Sequence, residues 1–363
     1  MKILFQLNHP AHYHLFKNSI KELKNKGHRV SILARSKDVL IDLLVNEEFD
    51  KLSTKKGATL FEKVKLVKQA QKEILDYTQK LNPKIIIGSG DFSYVTKKLG
   101  IPSIFLGEDD ANLNLPLFLW TLFTYGGFSA VLAPVGVNNS IWNKKTTFYN
   151  GYHKLAYLHP NQFTPDKTVV EKYFSADKPY FILRFAKLNA YHDINARGIN
   201  TPIAQKLIDL LQPRGDIYIT AERELEPQFE QYRLKIDPLD IHHVMAFAHL
   251  YIGDSQSMAV EAAMLGVPAV RFNDFVGKIS VLEELEHKYK LTFGIKTDKP
   301  NKLYQIITDL LSLENFKEEF QQRRQAMLAD KIDVTAFLVW FIENYPKSIE
   351  IMRKNPDYQY RFK

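Results

Sequence analysis

Short apolar runs alternate with longer amphipathic stretches through most of this chain, and this alternation restricts the fold more than any other feature. In the first half, the apolar runs lie at residues 3–7, 29–34, 84–87, 103–106 and 130–132, with helical patterns such as 13–26 and 60–81 between them. The second half repeats the order, with runs at 180–184, 216–220, 250–252 and 269–272. Because parallel strands need long crossover connections, usually helices, the alternation predicts an α/β fold with two doubly wound parallel sheets.

Residues 149–164 interrupt the alternation and are rich in Pro, Asn, His and aromatic residues, which is typical of a crossing between domains. We therefore predict a Rossmann-like N-terminal domain at residues 1–150 and a Rossmann-like nucleotide-sugar-binding domain at residues 151–345. The last residues, 346–363, are predicted to form a basic C-terminal tail. Ligands of such folds bind at the carboxyl ends of the strands, so we expect the two domains to face a central cleft.

The composition narrows the class of protein. With 363 residues, of which 45% are hydrophobic and 25% charged, the chain is long enough for two globular domains. A formal charge of +8 suits phosphate-rich ligands or an anionic membrane surface. It also suits nucleic acid, but no nucleic-acid-binding motif accompanies it, so we predict no nucleic-acid partner.

The absence of cysteine excludes disulfides, thiolate metal sites and a cysteine nucleophile. The apolar run at the N-terminus is too short for a signal peptide, and no run approaches the roughly 18 apolar residues of a membrane span. We expect a cytoplasmic protein that is not integral to a membrane. Peripheral contact with the inner membrane face stays open, because residues 113–123 form a dense apolar stretch that can be either core or a lipid-facing wall.

Residues 253–268 carry the most functional information. They follow a buried apolar run, and Asp254 or Ser255 can cap a helix that Gly266 ends. Gly253 lets a ligand approach the backbone. The uncapped amides of Gln256 and Ser257 would then stabilise a diphosphate at the start of the helix.

Glu261 lies further along the same helix, about one and a half turns past the cap, where a carboxylate can accept hydrogen bonds from ribose hydroxyls. Any capped helix after a buried strand gives a similar pattern, and Ala259, Ala262 and Ala263 suit packing onto a sheet. Spacing alone leaves both interpretations open.

The segment resembles the donor-binding motif of GT-B nucleotide-sugar enzymes, especially the UDP-N-acetylglucosamine 2-epimerases. That resemblance implies a GT-B fold, a diphosphate bound by the opening Gly253, Asp254 and Ser255, and a ribose bound by Glu261. Among basic residues near the ends of second-half strands, Arg184 is the preferred partner for the charge on a leaving diphosphate. Lys187, Arg223 and Arg271 are alternatives, and a solvated surface role is the usual one for Arg223.

Three histidines follow the first predicted strand, in Asn8-His9-Pro10-Ala11-His12-Tyr13-His14. An imidazole titrates near neutrality, so His12 or His14 can act as a catalytic base, although either can instead cap or pack at the helix start. We predict no metal site, because local spacing places no further ligand. The loop, with Phe16, Gly27 and His28, also resembles an uncharacterised family of GT-B-like proteins.

Two acidic loops, residues 88–93 and 107–112, each follow an apolar run. Asp91 and Glu108 are candidate catalytic carboxylates, with loop capping as the alternative for Asp91 and Asp109. Both candidates are similar to catalytic positions of the 2-epimerases. The Pro-Glu-Glu-Ala-Asn-Arg and Arg-Arg-x-Glu-Asn segments of those enzymes have no counterpart in this chain, which argues against epimerisation.

Together, these features predict a metal-independent glycosyltransferase of cell-envelope or capsular polysaccharide biosynthesis. Its donor would be a nucleotide-sugar, UDP-linked, bound as substrate with no separate cofactor, and its acceptor a glycan or lipid-linked glycan. A 2-epimerase is the alternative activity. A GT-B protein that binds a nucleotide-sugar without turnover is the alternative of another class.

Overall fold

The computed structural model describes residues 1–35, 39–53, 60–90, 92–175, 177–186 and 197–363, with the side chains of residues 60–65 left out. The chain divides into two compact units. Unit 1 comprises Met1–Tyr157 and Ile332–Lys363, and unit 2 comprises Leu158–Lys331.

Unit 1 is built on a seven-stranded parallel sheet in the order β3-β2-β1-β4-β5-β6-β7. The chain turns back at β1, which is paired with both β2 and β4, as in a doubly wound sheet. Its central strands are continuous apolar runs because helices cover both faces. The strands are β1 (Lys2–Leu7), β2 (Arg29–Arg35), β3 (Asp50–Leu52), β4 (Ile85–Gly88), β5 (Ser103–Leu106), β6 (Ala130–Pro134) and β7 (Thr146–Tyr149).

The first helix shows how the sequence specifies these elements. Pro10 occupies the first turn of α1, where its missing amide costs no hydrogen bond, and the His9 side chain caps the helix by accepting from the Ala11 amide. The other helices before the crossing are α2 to α6. Their bounds, with α1, are α1 (Pro10–Asn25), α2 (Leu40–Leu43), α3 (Leu60–Leu81), α4 (Ser93–Leu99), α5 (Leu115–Thr124) and α6 (Leu155–Leu158).

Unit 2 carries a five-stranded parallel sheet in the order β12-β11-β10-β8-β9. The strands are β8 (Tyr180–Phe185), β9 (Asp216–Ala221), β10 (Leu250–Gly253), β11 (Ala269–Phe272) and β12 (Thr292–Ile295). Its helices are α7 (Lys167–Glu171), α8 (Thr201–Leu211), α9 (Ile241–Phe247), α10 (Gln256–Met264), α11 (Ser280–His287), α12 (Pro300–Leu311) and α13 (Phe316–Asp330).

The C-terminal segment departs from the predicted division of the chain. We predicted that residues 151–345 form one domain and that 346–363 form a tail, but residues from Ile332 onward belong to unit 1. They fold as α14 (Val334–Glu343), α15 (Lys347–Lys354) and a 3₁₀ turn at Pro356–Phe362. Most residues of α14 are apolar and buried, but the sequence does not show which element the helix packs against.

Specific contacts hold this segment on unit 1. The helix α14 packs against α1, and the Thr335 hydroxyl donates to the Ala156 carbonyl at 2.6 Å. The Asn150 amide donates to the Gln359 side chain, also at 2.6 Å. The basic residues of this segment thus belong to a folded region. Aromatic and amide side chains of the segment contact the rest of unit 1.

Candidate functional site

The strand, turn and helix predicted around Gly253 are present in unit 2. Strand β10 ends at Gly253, and α10 begins at Gln256 with Ser255 in the N-cap position. Within the described part of the chain, the Ser255 side chain makes no capping hydrogen bond. Ser255 and Gln256 are half-buried and Ser257 is exposed. The first turn, whose amides have no acceptor within a helix, is therefore only partly covered by protein.

Gly253 sits between two arginines in the sheet. It pairs with Arg184 on β8 and with Arg271 on β11, and residues that pair directly in a sheet share one face. A Cβ at position 253 would lie 2.6 Å from the Tyr251 hydroxyl and 2.8 Å from the Arg184 Cβ. We expected this glycine to admit a ligand. The structure shows that protein atoms fill the space of its missing side chain.

The two arginines differ in their surroundings. Arg184 is partly accessible and pairs through Nη2 with Glu222, while its Nε is buried and has no partner among the described residues. Arg271 is fully buried and donates to Glu286 at 2.6 Å. Nε and Nη1 of Arg271 also have no partner among the described residues, so the difference between the two arginines is exposure. Arg271 is inaccessible, whereas part of the Arg184 side chain reaches the surface.

The remaining basic candidates are less favourable. Arg223 donates to the Ile199 carbonyl at 3.0 Å and contacts Glu226 at 3.3 Å, so it makes internal contacts and is not the solvated surface residue that was the alternative interpretation. Lys187 lies outside the described residues.

Asp254 has an internal role. Its carboxylate accepts hydrogen bonds from the amides of Ala186, at 2.6 Å, and Ile199, at 3.1 Å. Burial raises the pKa of Asp254 to about 6, although the amide donors favour the ionised form. Both oxygens are thus used to tie the end of β8 and the segment before α8 to the turn. This internal role was not predicted, and contact of Asp254 with a ligand stays a prediction.

Glu261 lies in the second turn of α10, and its side chain is largely buried. Its Oε1 is 3.5 Å from Nε2 of His242, a buried residue of α9. Sequence reasoning missed His242. The only signal was its place in a His-His pair at the start of a predicted helix, which by itself does not indicate a partner.

In unit 1, the predicted catalytic loops meet because β1, β4 and β5 are neighbours in the sheet. A Cβ at Gly90 would clash with the side-chain nitrogen Nδ2 of Asn8. The loop after β4 therefore touches the loop after β1. The Ser89 hydroxyl donates to the Leu106 carbonyl at 2.6 Å, which joins it to the end of β5. Asp91, the candidate in this loop, lies outside the described residues.

The two candidate histidines differ. The Asn8 amide donates to Nδ1 of His12 at 3.1 Å, which places the proton of the neutral ring on Nε2 and makes that nitrogen a donor. His14 is buried, with its ring 5.2 Å from the ring of Tyr157. His12 is therefore better placed than His14 for contact with a ligand. His14 packs at the start of the helix, which was the alternative interpretation of this residue.

Glu108 is held by a segment that we had interpreted only as a domain crossing. Its carboxylate accepts from the His153 amide at 2.9 Å and from Lys154 Nζ at 2.6 Å. Burial opposes ionisation of Glu108, but the positive charge of Lys154 and these two hydrogen bonds outweigh it and lower the pKa of Glu108. With both oxygens occupied, Glu108 is ionised and a weak base.

His153 itself is a candidate that sequence reasoning missed. Its Nδ1 lies 3.8 Å from Glu108 Oε2, and its Nε2 is buried without a hydrogen-bond partner among the described residues. Burial lowers the pKa of His153 to about 4, so the ring is neutral at pH 7. The contact joins residues 45 positions apart, which spacing along the chain cannot reveal.

Two searches of the described residues for other kinds of site found nothing. No group of three or more His, Asp or Glu side chains there is arranged to hold a metal ion. None of the helices in the same ranges is long and apolar enough to cross a membrane.

A family model described as "Protein of unknown function (DUF354)" matches residues 1–278. No curated protein matches the chain in sequence.

Solved structures match the chain at low sequence identity. A putative UDP-N-acetylglucosamine 2-epimerase from Listeria monocytogenes is 17% identical with a TM-score of 0.68, and the match covers 98% of each chain. The UDP-GlcNAc 2-epimerase from Neisseria meningitidis, solved bound to UDP-GlcNAc, is 14% identical with a TM-score of 0.65 over 94% of this chain and 99% of that one. MurG from Acinetobacter baumannii is 16% identical with a TM-score of 0.58, again over 94% of this chain and 99% of that one. These likenesses and the two parallel sheets show the predicted two-domain, Rossmann-like GT-B fold.

Proposed function

We propose that this chain, which belongs to the family described as "Protein of unknown function (DUF354)", is a glycosyltransferase that binds a nucleotide-sugar at the carboxyl edge of the unit 2 sheet. One observation carries the proposal. At this edge, the uncapped first turn of α10 lies beside Arg184, and Glu261 follows in the next turn.

The turn suits a diphosphate for electrostatic reasons. The free amides at the start of α10 concentrate partial positive charge, which favours an anion. The hydroxyls of Ser255 and Ser257 and the amide of Gln256 add hydrogen-bond donors, and Gly253 brings this group close to Arg184. As the bond from sugar to phosphate breaks, the Arg184 guanidinium would stabilise the charge on the departing diphosphate.

Glu261 would bind the ribose. It is five residues beyond the first residue of α10, so its Cα lies about 7 to 8 Å further along the helix axis. A carboxylate can accept hydrogen bonds from both ribose hydroxyls. Inorganic diphosphate has no such hydroxyls, so this contact would select a nucleotide. His242, 3.5 Å from Oε1, would help to orient the carboxylate.

The acceptor hydroxyl must lose a proton during transfer, and the titratable groups of unit 1 are the candidates for this step. The predicted bases were His12, His14, Asp91 and Glu108. Glu108 is engaged by two donors, His14 is buried against Tyr157, and Nε2 of neutral His12 already carries the proton. We therefore favour Asp91 as the base and His12 as a hydrogen-bond donor to the acceptor. The acceptor would be a glycan or a lipid-linked glycan of the cell envelope or capsule, and the donor a UDP-sugar.

The Glu261→Ala variant tests the donor site. It should bind UDP at least about fivefold more weakly than the wild type, since a hydrogen bond to a charged group contributes about 1 kcal/mol or more. Isothermal titration calorimetry measures this, with Glu314→Ala, at an exposed position of unit 2, as the matched control. Thermal unfolding of both variants separates loss of binding from loss of folding. Unchanged UDP affinity in a folded Glu261→Ala protein would contradict the assignment.

An epimerase is the second candidate, because Asp91 and Glu108 are similar to catalytic positions of the 2-epimerases. Incubation with UDP-N-acetylglucosamine in D₂O distinguishes the two activities. Deuterium incorporated at carbon 2 of the sugar supports epimerisation, whereas UDP release that depends on an added acceptor supports transfer. UDP-sugar binding with neither product supports a non-catalytic binder.

A further inference from the structure

Helix α5 of unit 1 is apolar on its exposed side as well as on its buried side. Its sequence, Leu-Pro-Leu-Phe-Leu-Trp-Thr-Leu-Phe-Thr, has no charged residue. Leu115, Leu119 and Phe123 are 68%, 41% and 78% exposed. They are spaced four residues apart and so form one stripe along the helix. A surface helix of a globular protein normally directs polar residues outward, so this stripe calls for a partner.

The inner side of α5 is well anchored, so the exposed stripe is held in place. The Trp120 ring lies 5.7 Å from the ring of Phe105 on β5 and 5.7 Å from that of Tyr125. Asn114 caps the helix by accepting from the Leu117 amide at 2.9 Å. A fixed helix therefore presents the three apolar side chains.

Two other segments meet the 3₁₀ turn at Tyr125–Gly127, which directly follows α5. A Cβ at Gly126 would lie 2.9 Å from the Trp142 ring, and a Cβ at Gly127 would lie 2.9 Å from the Ser93 side chain. The neighbours of these contact residues, Ile141 and Tyr94, are both exposed. We call the exposed set Tyr94, Leu115, Leu119, Phe123 and Ile141 the α5 corner.

Lysines border the α5 corner. Lys98 Nζ lies 5.7 Å from the centre of the Tyr94 ring. Lys144 is exposed in the same 3₁₀ turn as Ile141, and Lys145 donates to the Tyr125 carbonyl at 3.2 Å. Apolar side chains flanked by flexible cations match the two layers of a membrane surface, acyl chains and anionic headgroups.

The net charge is concentrated in the same unit. Unit 1 contains 27 lysines and arginines against 17 aspartates and glutamates, whereas unit 2 contains 22 against 24. The formal charges are therefore +10 and −2. A second copy of this chain docked through the α5 corner would bring two strongly positive units together, while an anionic bilayer would attract the unit.

We propose that the α5 corner docks unit 1 on the surface of an anionic lipid bilayer. Leu115, Leu119 and Phe123 would enter the boundary between headgroups and acyl chains, and Lys98 and Lys144 would contact the headgroups. The contact is peripheral and reversible. It does not depend on the nucleotide-sugar site, so the two proposals can fail separately.

Vesicle flotation of the full chain tests this proposal. We expect the wild type to float with vesicles of phosphatidylcholine and phosphatidylglycerol and not with phosphatidylcholine alone. High salt should release most of the bound protein, because exposed charges are screened. The double variant Leu119→Ser/Phe123→Ser should lower the bound fraction about tenfold or more, since it removes two inserting apolar side chains.

The matched control is Val45→Ser, which replaces an apolar side chain of unit 1 that is 70% exposed and lies outside the corner. It should float as the wild type does. Thermal unfolding checks that all variants are folded, and Lys98→Glu/Lys144→Glu, which leaves the apolar stripe intact, should also weaken flotation.

Equal flotation of the wild type and the Leu119→Ser/Phe123→Ser variant, or no binding of the wild type to anionic vesicles, would overturn the proposal. Light scattering gives the other decisive outcome. If the wild type is a dimer that this double variant converts to a monomer, the corner is a self-association surface.

Discussion

The carboxyl edges of the two sheets have similar topology but different chemistry. In unit 2, the edge consists of a glycine-led turn, an uncapped helix start and Arg184, which are fixed dipoles and a permanent cation. In unit 1, the edge carries titratable side chains, namely His12, Glu108, His153 and Lys154. The same fold thus has one edge of fixed dipoles and permanent charge and one edge of titratable groups.

The difference extends to buried charges. Each unit has a buried cation paired with a carboxylate, Arg271 with Glu286 in unit 2 and Lys154 with Glu108 in unit 1. Arginine cannot lose its proton in a protein, whereas a buried lysine can. Unit 2 should therefore be more sensitive to the loss of its carboxylate than unit 1.

The largest expected effect follows from this contrast. Glu286→Ala should destabilise the protein by about 3 kcal/mol, because it removes the nearer carboxylate of the fully buried Arg271 and leaves only Glu283, at 3.8 Å, to balance its charge. Glu108→Ala should cost less, because Lys154 can become neutral. Denaturant unfolding measures the loss, and hydrogen exchange identifies the unit affected.

The double variant Arg271→Met/Glu286→Ala is the control for this comparison and should recover much of the stability, since no buried charge remains. If the Glu286→Ala protein unfolds at the same denaturant concentration as the wild type, the Arg271–Glu286 pair contributes little to the free energy of unfolding.

An intermediate effect is expected from pH, with opposite signs in the two units. The pKa of His153 falls from 6.5 to about 4 on folding, so its contribution to stability is complete above pH 6.5 and is lost as the pH falls towards 4. The pKa of Asp254 rises from 3.8 to about 6, so its contribution is complete below pH 3.8 and is lost as the pH rises through 6. Each contribution is at most about 3 kcal/mol, at 1.36 kcal/mol per pKa unit.

Unfolding of His153→Gln and Asp254→Asn proteins at pH 4.5 and pH 7, relative to the wild type, measures these contributions. His153→Gln should reduce the loss of stability on acidification, and Asp254→Asn should increase it. Parallel pH dependence of the wild type and both variants would mean that neither group is perturbed by burial.

The smallest effect concerns the helix starts. The N-cap Asp333 of α14, in unit 1, accepts from the Ala336 amide at 3.1 Å, so Asp333→Ala should cost about 1 kcal/mol. Ser255, the N-cap of α10, makes no such bond within the described residues, so Ser255→Ala should change stability by less than about 0.5 kcal/mol. Thermal unfolding compares them. A Ser255→Ala variant as unstable as Asp333→Ala would show that the α10 amides are capped in solution.

Local patterns in the sequence predicted most of the regular elements. The strands at residues 103–106 and 269–272 and the helix at residues 60–81 have the predicted bounds, because continuous apolar runs and amphipathic periodicity are local properties. The short edge strands β3, β7 and β12 were missed. An edge strand of three or four residues carries too little pattern to be distinguished from a loop.

The candidate site was predicted in part. The turn at Gly253 and the start of α10 have the predicted geometry, since strand, loop and helix are contiguous in the chain. The internal role of Asp254 and the pairing of Glu108 with Lys154 were not predicted. Each of these contacts joins residues more than 40 positions apart and exists only after the chain has folded.

The sequence by itself determined two parallel α/β sheets, the family and the place of the glycine-led turn before α10, because all three depend on patterns within short segments. The tertiary structure decided which predicted polar residues are available. Packing buried Asp254, His14 and Arg271, and it left part of the Arg184 side chain accessible. It also placed the C-terminal helices on unit 1. Burial and long-range pairing set these outcomes, and they depend on neighbours that the order of residues does not specify.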